Sequence, residues 1–189
     1  MVDEREAVTA PHSWLDPANR PTEPLPREAL EERIERVLTL TNIGYMATLG
    51  RRGPICSPVE FYAHGLDIYV YPQPNSPKLK ALGRDPRMSF AVANPMAGWA
   101  SAFGVQLFGS AELLEPGTPD WDFGMTIFKY PSSNWELGRA IDTVPPGILL
   151  RLRPDRITLT EHFLRRGGYA ARQFWDRDPG TAPDRRATV

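Results

Sequence analysis

Apolar residues in this chain recur with a period of two far more often than with a period of 3.6. The runs "IGYMATL" (43–49), "ICSPVEFY" (55–62) and "DIYVY" (67–71) are rich in β-branched and aromatic residues and are separated by turn signals at Gly50–Gly53 and His64-Gly65. They predict three antiparallel strands in a meander. "RMSFAVA" (87–93) and "GVQLFGSAELLE" (104–115) add two more, the second long enough to bend at Gly109. "GILLRLR" (147–153) and "RITLTEHF" (156–163), joined by a Pro154-Asp155 turn, supply the sixth and seventh. Helical spacing is clear in "REALEERIERVLTL" (27–40), which puts Leu30, Ile34, Val37 and Leu38 on one face just after Pro26. A second, shorter helix is expected near 77–83. Parallel strands would each need a crossover, so short strands with few helices between them predict a mainly β fold, a small closed or split antiparallel barrel with peripheral helices.

The pattern also divides the chain. The first 26 residues hold five prolines and little periodicity, which reads as an arm that is either disordered or laid against a partner. The barrel domain is expected over 27–175, with an aromatic, partly helical insertion at 119–143 broken by Pro131, and a polar tail over 176–189. At 189 residues the chain has room for one domain with a sizeable core. With 22 basic and 23 acidic residues, the net charge of −1 offers no global field for nucleic acid or an acidic membrane. The single cysteine, Cys56, excludes an internal disulfide, and the scattered His12, His64 and His162 show no zinc spacing. The acidic N-terminus lacks an apolar signal core, and no run approaches membrane-spanning length. A soluble, cytoplasmic protein without a metal is the expectation.

Candidate chemistry centres on "PNSPKLKALGRDPRMSFAV" (74–92). Ser76 precedes a helix with Pro77 at its first position, so the plain reading is a side-chain cap beside a solvated Lys78. The alternative is an anion site in which a hydroxyl and an ammonium supplement the unpaired N–H groups of the helix start. Taken in order, the Ser-Pro-Val strand (57–59), the strand ending at Tyr71, Ser76-Pro77-Lys78, "GRDPRMSFAV" and "FGSAELL" (108–114) resemble the pyridoxamine 5′-phosphate oxidase-like superfamily of flavin and deazaflavin oxidoreductases. The resemblance covers about residues 30 to 115 well and 145 to 175 loosely. It implies a split β-barrel, a homodimer, and FMN held in a groove between subunits. Ser76 and Lys78 match positions that contact the FMN phosphate. Ser57, Pro58 and Val59 match the strand beside the ribityl chain and ring, and Tyr71 and Pro72 match nearby backbone contacts.

Two departures shift the expectation away from vitamin B6 chemistry. Glu60 stands where the family strand carries a cation, and "FLRRGGYAARQFWDR" has no Arg-x-His for the vitamin's phosphate. The implied function is a flavin-dependent oxidoreductase acting on a small apolar or aromatic organic substrate. F420 is the alternative cofactor, and a non-catalytic flavin- or haem-binding barrel is the alternative role. Flavin supplies the redox chemistry, so no acid–base or nucleophile constellation is required, and none stands out. Tyr45, Glu60, Tyr62 and Tyr130 are the candidate proton donors, with no single catalytic residue assigned. Cys56 reads as a small core residue, His64 and Asp85-Pro86 as turn residues, and Arg87 either as a phosphate contact or as cover for the barrel rim. The aromatics Trp99, Phe103, Trp121, Phe123, Phe128, Tyr130 and Trp135 are dense enough for part of the insertion to roof the ring groove. Trp99, Phe103, Trp121 and Tyr130 are the expected substrate-pocket residues.

Overall fold

The computed structural model describes residues 20–95, 98, 101–128 and 147–178. In chain order the elements are α1 (Arg27–Thr39), β1 (Ile43–Gly50), β2 (Gly53–Glu60), β3 (Tyr62–His64), β4 (Asp67–Val70), α2 (Pro77–Leu82), β5 (Arg87–Ala93), β6 (Phe103–Leu114), α3 (Pro119–Ile127), β7 (Leu149–Glu161), a 3₁₀ turn (His162–Gly167) and β8 (Arg172–Asp176).

All eight strands join one sheet in the order β2-β1-β5-β6-β7-β4-β3, with β8 also pairing β7. Every strand pairing is antiparallel. The two ends of that path, β2 and β3, are consecutive in the chain and meet at Phe61. That residue is fully buried, packs edge-on against Phe90 at 5.1 Å, and donates its N–H to Asn42 O at 2.8 Å. The sheet therefore curls on itself into a split barrel, and the alternation along each strand decides what fills it. Met46, Val59, Ile68, Phe90, Leu107, Leu152, Ile157 and Leu159 point inward and are buried. The predicted face of α1 (Leu30, Ile34, Val37, Leu38) packs on β3, β5, β6 and β8. Fully burying such a side chain stabilises by about 1.5–3 kcal/mol.

Two elements differ from the sequence expectation. The Pro154-Asp155 turn does not exist: β7 runs unbroken from Leu149 to Glu161, and the irregularity is a bulge, with Phe108 opposite Arg156 and Gly109 opposite Pro154. Pro154 is tolerated because along its other edge β7 passes there from β4, which pairs 150–152, to β8, which pairs 156–160, so the ladder is already interrupted. An eighth strand that the pattern did not show, "RQFWD", is β8, with Gln173 and Trp175 turned inward. Buried Gln173 is satisfied by backbone: its Oε1 accepts from Leu25 N at 2.8 Å, and its Nε2 donates to Ala170 O at 2.8 Å and to Glu23 O at 3.3 Å. The same contacts lay the end of the N-terminal arm against the chain's own β8 and the segment before it, where Glu23 bridges Tyr169.

The described part of the insertion is α3. Thr118 caps it by accepting Trp121 N at 3.3 Å, Pro119 opens it, and Asp120 and Asp122 complement its positive end. Arg151 of β7 ties α3 to the barrel, pairing with Asp120 at 3.4 Å while also binding Glu112 of β6. Gly124 lets α3 approach closely, since a Cβ there would lie 2.4 Å from Leu149 Cδ2 and 3.0 Å from the Tyr69 ring.

Candidate functional site

The barrel splits where β3 gives way to β2. β3 pairs β4 from Tyr62↔Tyr69 to His64↔Asp67, and continuing that register would pair Glu60 with Tyr71. The ladder stops instead. β2 turns to β1 on its other side, and the chain after β4 leaves through 71–76 to reach α2, which packs against β1 and β2. One lip of the split is thus the free edge of β2, carrying Ser57, Pro58 and Val59. The other is the β4–α2 connection and the first turn of α2, carrying Tyr71, Pro72 and Ser76, then Lys78. These residues, singled out in two separate stretches of sequence, lie on the two sides of one opening in the sheet.

Ser76 does not cap α2. It occupies the N-cap position, but its side chain makes no capping bond, and its Oγ is sealed from solvent with no hydrogen-bond partner. A buried hydroxyl left unsatisfied costs about 1–3 kcal/mol, so this atom calls for a ligand or a solvent molecule. Its backbone is held by Ser76 N donating to Gln73 O at 3.2 Å. Asn75 beside it adopts φ 61°, a left-handed conformation that asparagine tolerates better than most residues. Lys78, two residues on, is half-buried in the first turn of α2. Thr48 is a residue the sequence did not single out. It is inward-facing on β1, 5 % exposed, and its Oγ1 is also without a partner. No signal in the sequence marks it, because a threonine is ordinary in a strand.

At the β2 end of the split, Tyr62 donates to Glu60 Oε1 at 2.9 Å, and Asn42 Nδ2 donates to the same oxygen at 3.4 Å. Burial pushes the Tyr62 phenol up, Asn42 pulls it down, and the neighbouring Glu60 carboxylate pushes it up again; the net direction is upward. Tyr62 therefore stays a protonated donor through the neutral range. Tyr45, another candidate donor, faces the opposite surface of the sheet and is 56 % exposed.

The expected substrate-pocket residues do not come together. Trp99 and Tyr130 lie outside the described residues. Phe103 begins β6 and packs on the main core, whereas Trp121 lies in α3 near the other end of that strand, in a separate cluster with Tyr69, Leu114, Phe128 and Leu149. Trp121 donates Nε1 to Gly147 O at 2.8 Å. This cluster backs one lip of the split, because Tyr71 packs in it with its ring 5.8 Å from Phe128, and Tyr62 lies edge-on to Phe128 at 5.3 Å. The aromatic insertion supports the opening from behind on its described side. His64 sits edge-on to Phe123 beside the β3–β4 turn, at 5.3 Å.

Cys56 is exposed, not core. β2 is the edge of the sheet, and its even-numbered residues look outward, where Cys56 stands beside Ala47 of β1. That outer face is apolar. Tyr45 lies between Pro58 and Ala91, and Ala47 between Cys56 and Ser89. Ile43, Tyr45 and Leu49 are 47 %, 56 % and 50 % exposed. A shallow depression of about 340 Å³ opens on this face, over Ala47, Leu49, Ser89 and Phe108 with the Asp85–Arg87 pair at its rim. Arg87 is thus a rim residue held by Asp85, whose carboxyl is lowered to about 2 by the hydrogen bonds from Arg87. Among the described residues no helix is long and apolar enough to cross a membrane, and no group of three or more His, Cys, Asp or Glu is placed to hold a metal.

Comparison with known proteins places this geometry. No curated protein matches the sequence at a significant level. Among solved structures, a haem-binding protein from Mycobacterium smegmatis is similar, with a TM-score of 0.59 and 24 % identity over 80 % of this chain, which spans only 59 % of that protein. An FAD-binding protein from Mesorhizobium loti gives a TM-score of 0.51 and 21 % identity, covering 68 % of this chain and 89 % of that one. HutZ, the haem storage protein from Vibrio cholerae, gives 0.54 and 16 %, covering 66 % and 89 %. At these identities the likeness is one of fold. Residues 30–161, which run from α1 to the end of β7 and include both lips of the split, match the family described as pyridoxamine 5′-phosphate oxidase, and the chain belongs to that family.

Proposed function

We propose that the split holds a phosphate-bearing flavin, FMN, and that the protein is a flavin-dependent oxidoreductase acting on a small apolar or aromatic organic substrate other than vitamin B6. The observation that carries this reading is the sealed, partnerless Ser76 hydroxyl on the lip that also bears Lys78. A phosphate oxygen accepts from a hydroxyl and from an ammonium, so the donors present fit the group. Ser76 and Lys78 hold the phosphate, while Ser57, Pro58, Val59, Tyr71 and Pro72 flank the remainder of the cofactor. When bound, the flavin supplies two-electron redox chemistry, and the chain supplies position and exclusion of water. F420 presents a phosphate as well and is the alternative occupant.

The outer face of β1 supports the companion proposal of a homodimer. β1 is an interior strand of the sheet without a charged residue, and it leaves Ile43, Tyr45 and Leu49 uncovered. An apolar face of this kind marks a surface that is covered in the assembled state, and a self-complementary copy is the simplest cover.

A second reading, a non-catalytic flavin- or haem-binding protein, is favoured by the haem-binding and haem storage proteins among the structural relatives. The visible spectrum of the purified protein, with FMN, F420 and haemin added in turn, separates the readings. A bound flavin that bleaches with NAD(P)H or substrate and recovers in air indicates an oxidoreductase. Stoichiometric haem uptake without flavin binding gives the second reading, and retention of none of the three removes both.

A further inference from the structure

The split has one end where a charge and aromatic rings meet. β3 pairs β4 as far as Tyr62↔Tyr69, and Glu60 and Tyr71, which the same register would bring together, stand on opposite lips of the opening. Glu60 is the only charged residue of β2, and residues 71–77 carry none. Among the described residues of the two lips, its carboxylate therefore sets the sign of that end, as Lys78 sets the opposite sign farther along the second lip. Two donors fix its orientation, Tyr62 Oη at 2.9 Å and Asn42 Nδ2 at 3.4 Å, both on Glu60 Oε1. The rings of Tyr62 and Tyr71 pack on buried Phe128 from two directions, one edge-on at 5.3 Å and one tilted at 5.8 Å. Both tyrosines are half-buried. An aromatic face attracts a cation, a carboxylate attracts it further, and both repel an anion.

We propose that Glu60 selects the substrate by charge: its carboxylate and the Tyr62 and Tyr71 rings receive the positive group of a small aromatic organic cation and turn anionic analogues away. A charge spread over alkyl groups or a ring leaves water at less cost than a primary ammonium, so quaternary and ring-delocalised cations fit best. The inference rests on the reading of the split as a cofactor and substrate site, and it adds the sign of the substrate's charge.

The test titrates the full chain, with and without FMN, with three phenyl probes that differ in charge: benzyltrimethylammonium, benzyl alcohol and phenylacetate. The wild type binds the cation about tenfold more tightly than the neutral alcohol, and the anion more weakly than either. Glu60→Gln, which keeps an acceptor for Tyr62 and Asn42, loses that preference and leaves the affinities for benzyl alcohol and for FMN where they were. A glutamate that serves only to position Tyr62 would leave the preference intact in Glu60→Gln, and that result overturns the proposal. If Glu60→Gln does not fold, the three probes on the wild type decide alone. Equal affinity for the cation and the alcohol, with FMN still bound, overturns the charge selection and leaves the cofactor reading standing. Preference for the cation in a chain that takes up no FMN overturns the cofactor reading and leaves the cation site standing.

Discussion

Ser76 was expected either as a helix cap or as a phosphate contact, and Cys56 as core filler; the structure removes the cap and the core role, each for a local reason. Ser76 lies at the start of α2, but its hydroxyl is sealed and makes no capping bond. A residue that stabilises nothing in the free protein yet is shaped to donate has an asymmetric mutational signature. Ser76→Ala removes an unsatisfied buried hydroxyl, so the melting temperature of the cofactor-free protein should hold or rise, by the equivalent of up to about 1 kcal/mol, while FMN affinity falls about tenfold. Thermal unfolding with and without FMN checks it. A drop in apo stability together with unchanged affinity would restore the cap. Cys56 was misread because an apolar strand looks alike from sequence whether its outer face is covered by the same chain or open. Only the sheet order, which puts β2 at the end of the path, distinguishes the two.

Strand alternation and the α1 stripe made most of the elements legible, and the buried face of α1 is the one that periodicity names. What alternation could not show was how strands continue through irregularities. Pro154 signals a break in sequence, but in the sheet it occupies a bulge opposite Gly109, which is itself pressed against the partner backbone. A Cβ at Gly109 would lie 2.0 Å from Arg153 O, and a backbone atom has little room to yield. Gly109→Ala should cost about 1–3 kcal/mol, measured as a shift in denaturation midpoint with the m-value unchanged. β8 was missed because its inward glutamine, Arg172 and Asp176 outweigh Trp175 in any hydropathy reading. The backbone partners that make a buried Gln173 acceptable come from residues 23–25, some 150 positions away.

The cluster in which Arg151 of β7 binds both Glu112 of β6 and Asp120 of α3 carries its own pH signature. Burial raises the Glu112 carboxyl, but hydrogen bonds from Arg151 and Arg153 and their charges outweigh it, and the net direction is down from the ordinary 4.5. A carboxyl lowered in the folded state contributes stability that is present above 4.5 and lost as pH falls through the folded value. The difference in melting temperature between wild type and Glu112→Gln should therefore be largest near pH 7 and shrink below about pH 4. A difference independent of pH would mean that the glutamate acts through packing alone.

At the scale of the whole molecule, the topology brings the two stretches singled out in the sequence to either side of a break in one ladder. The β3–β4 ladder ends at Tyr62↔Tyr69, two pairs short of Glu60 opposite Tyr71, so β2 and the β4–α2 connection border the break. The substrate pocket was not legible in this way. Aromatic density in a linear window says nothing about which end of β6 each ring reaches, and Phe103 and Trp121 reach different ends. The uncovered face of β1 makes the assembly itself testable. The protein should run in light scattering at twice the 21.2 kDa of one chain. Tyr45→Asp with Leu49→Asp should return it to the single-chain mass with little change in protomer packing, since both side chains are half exposed or more.

The central claim is that the lip bearing Ser76 and Lys78 is a phosphate site, and titrating Lys78→Ala with FMN and, separately, with riboflavin tests it most directly. Removing one charge-assisted contact of about 1.5–3 kcal/mol should weaken FMN by roughly one to two orders of magnitude, leave riboflavin binding nearly unchanged, and leave the melting temperature of the cofactor-free protein where it was. Equal losses for the two ligands, or none for FMN, would contradict the claim.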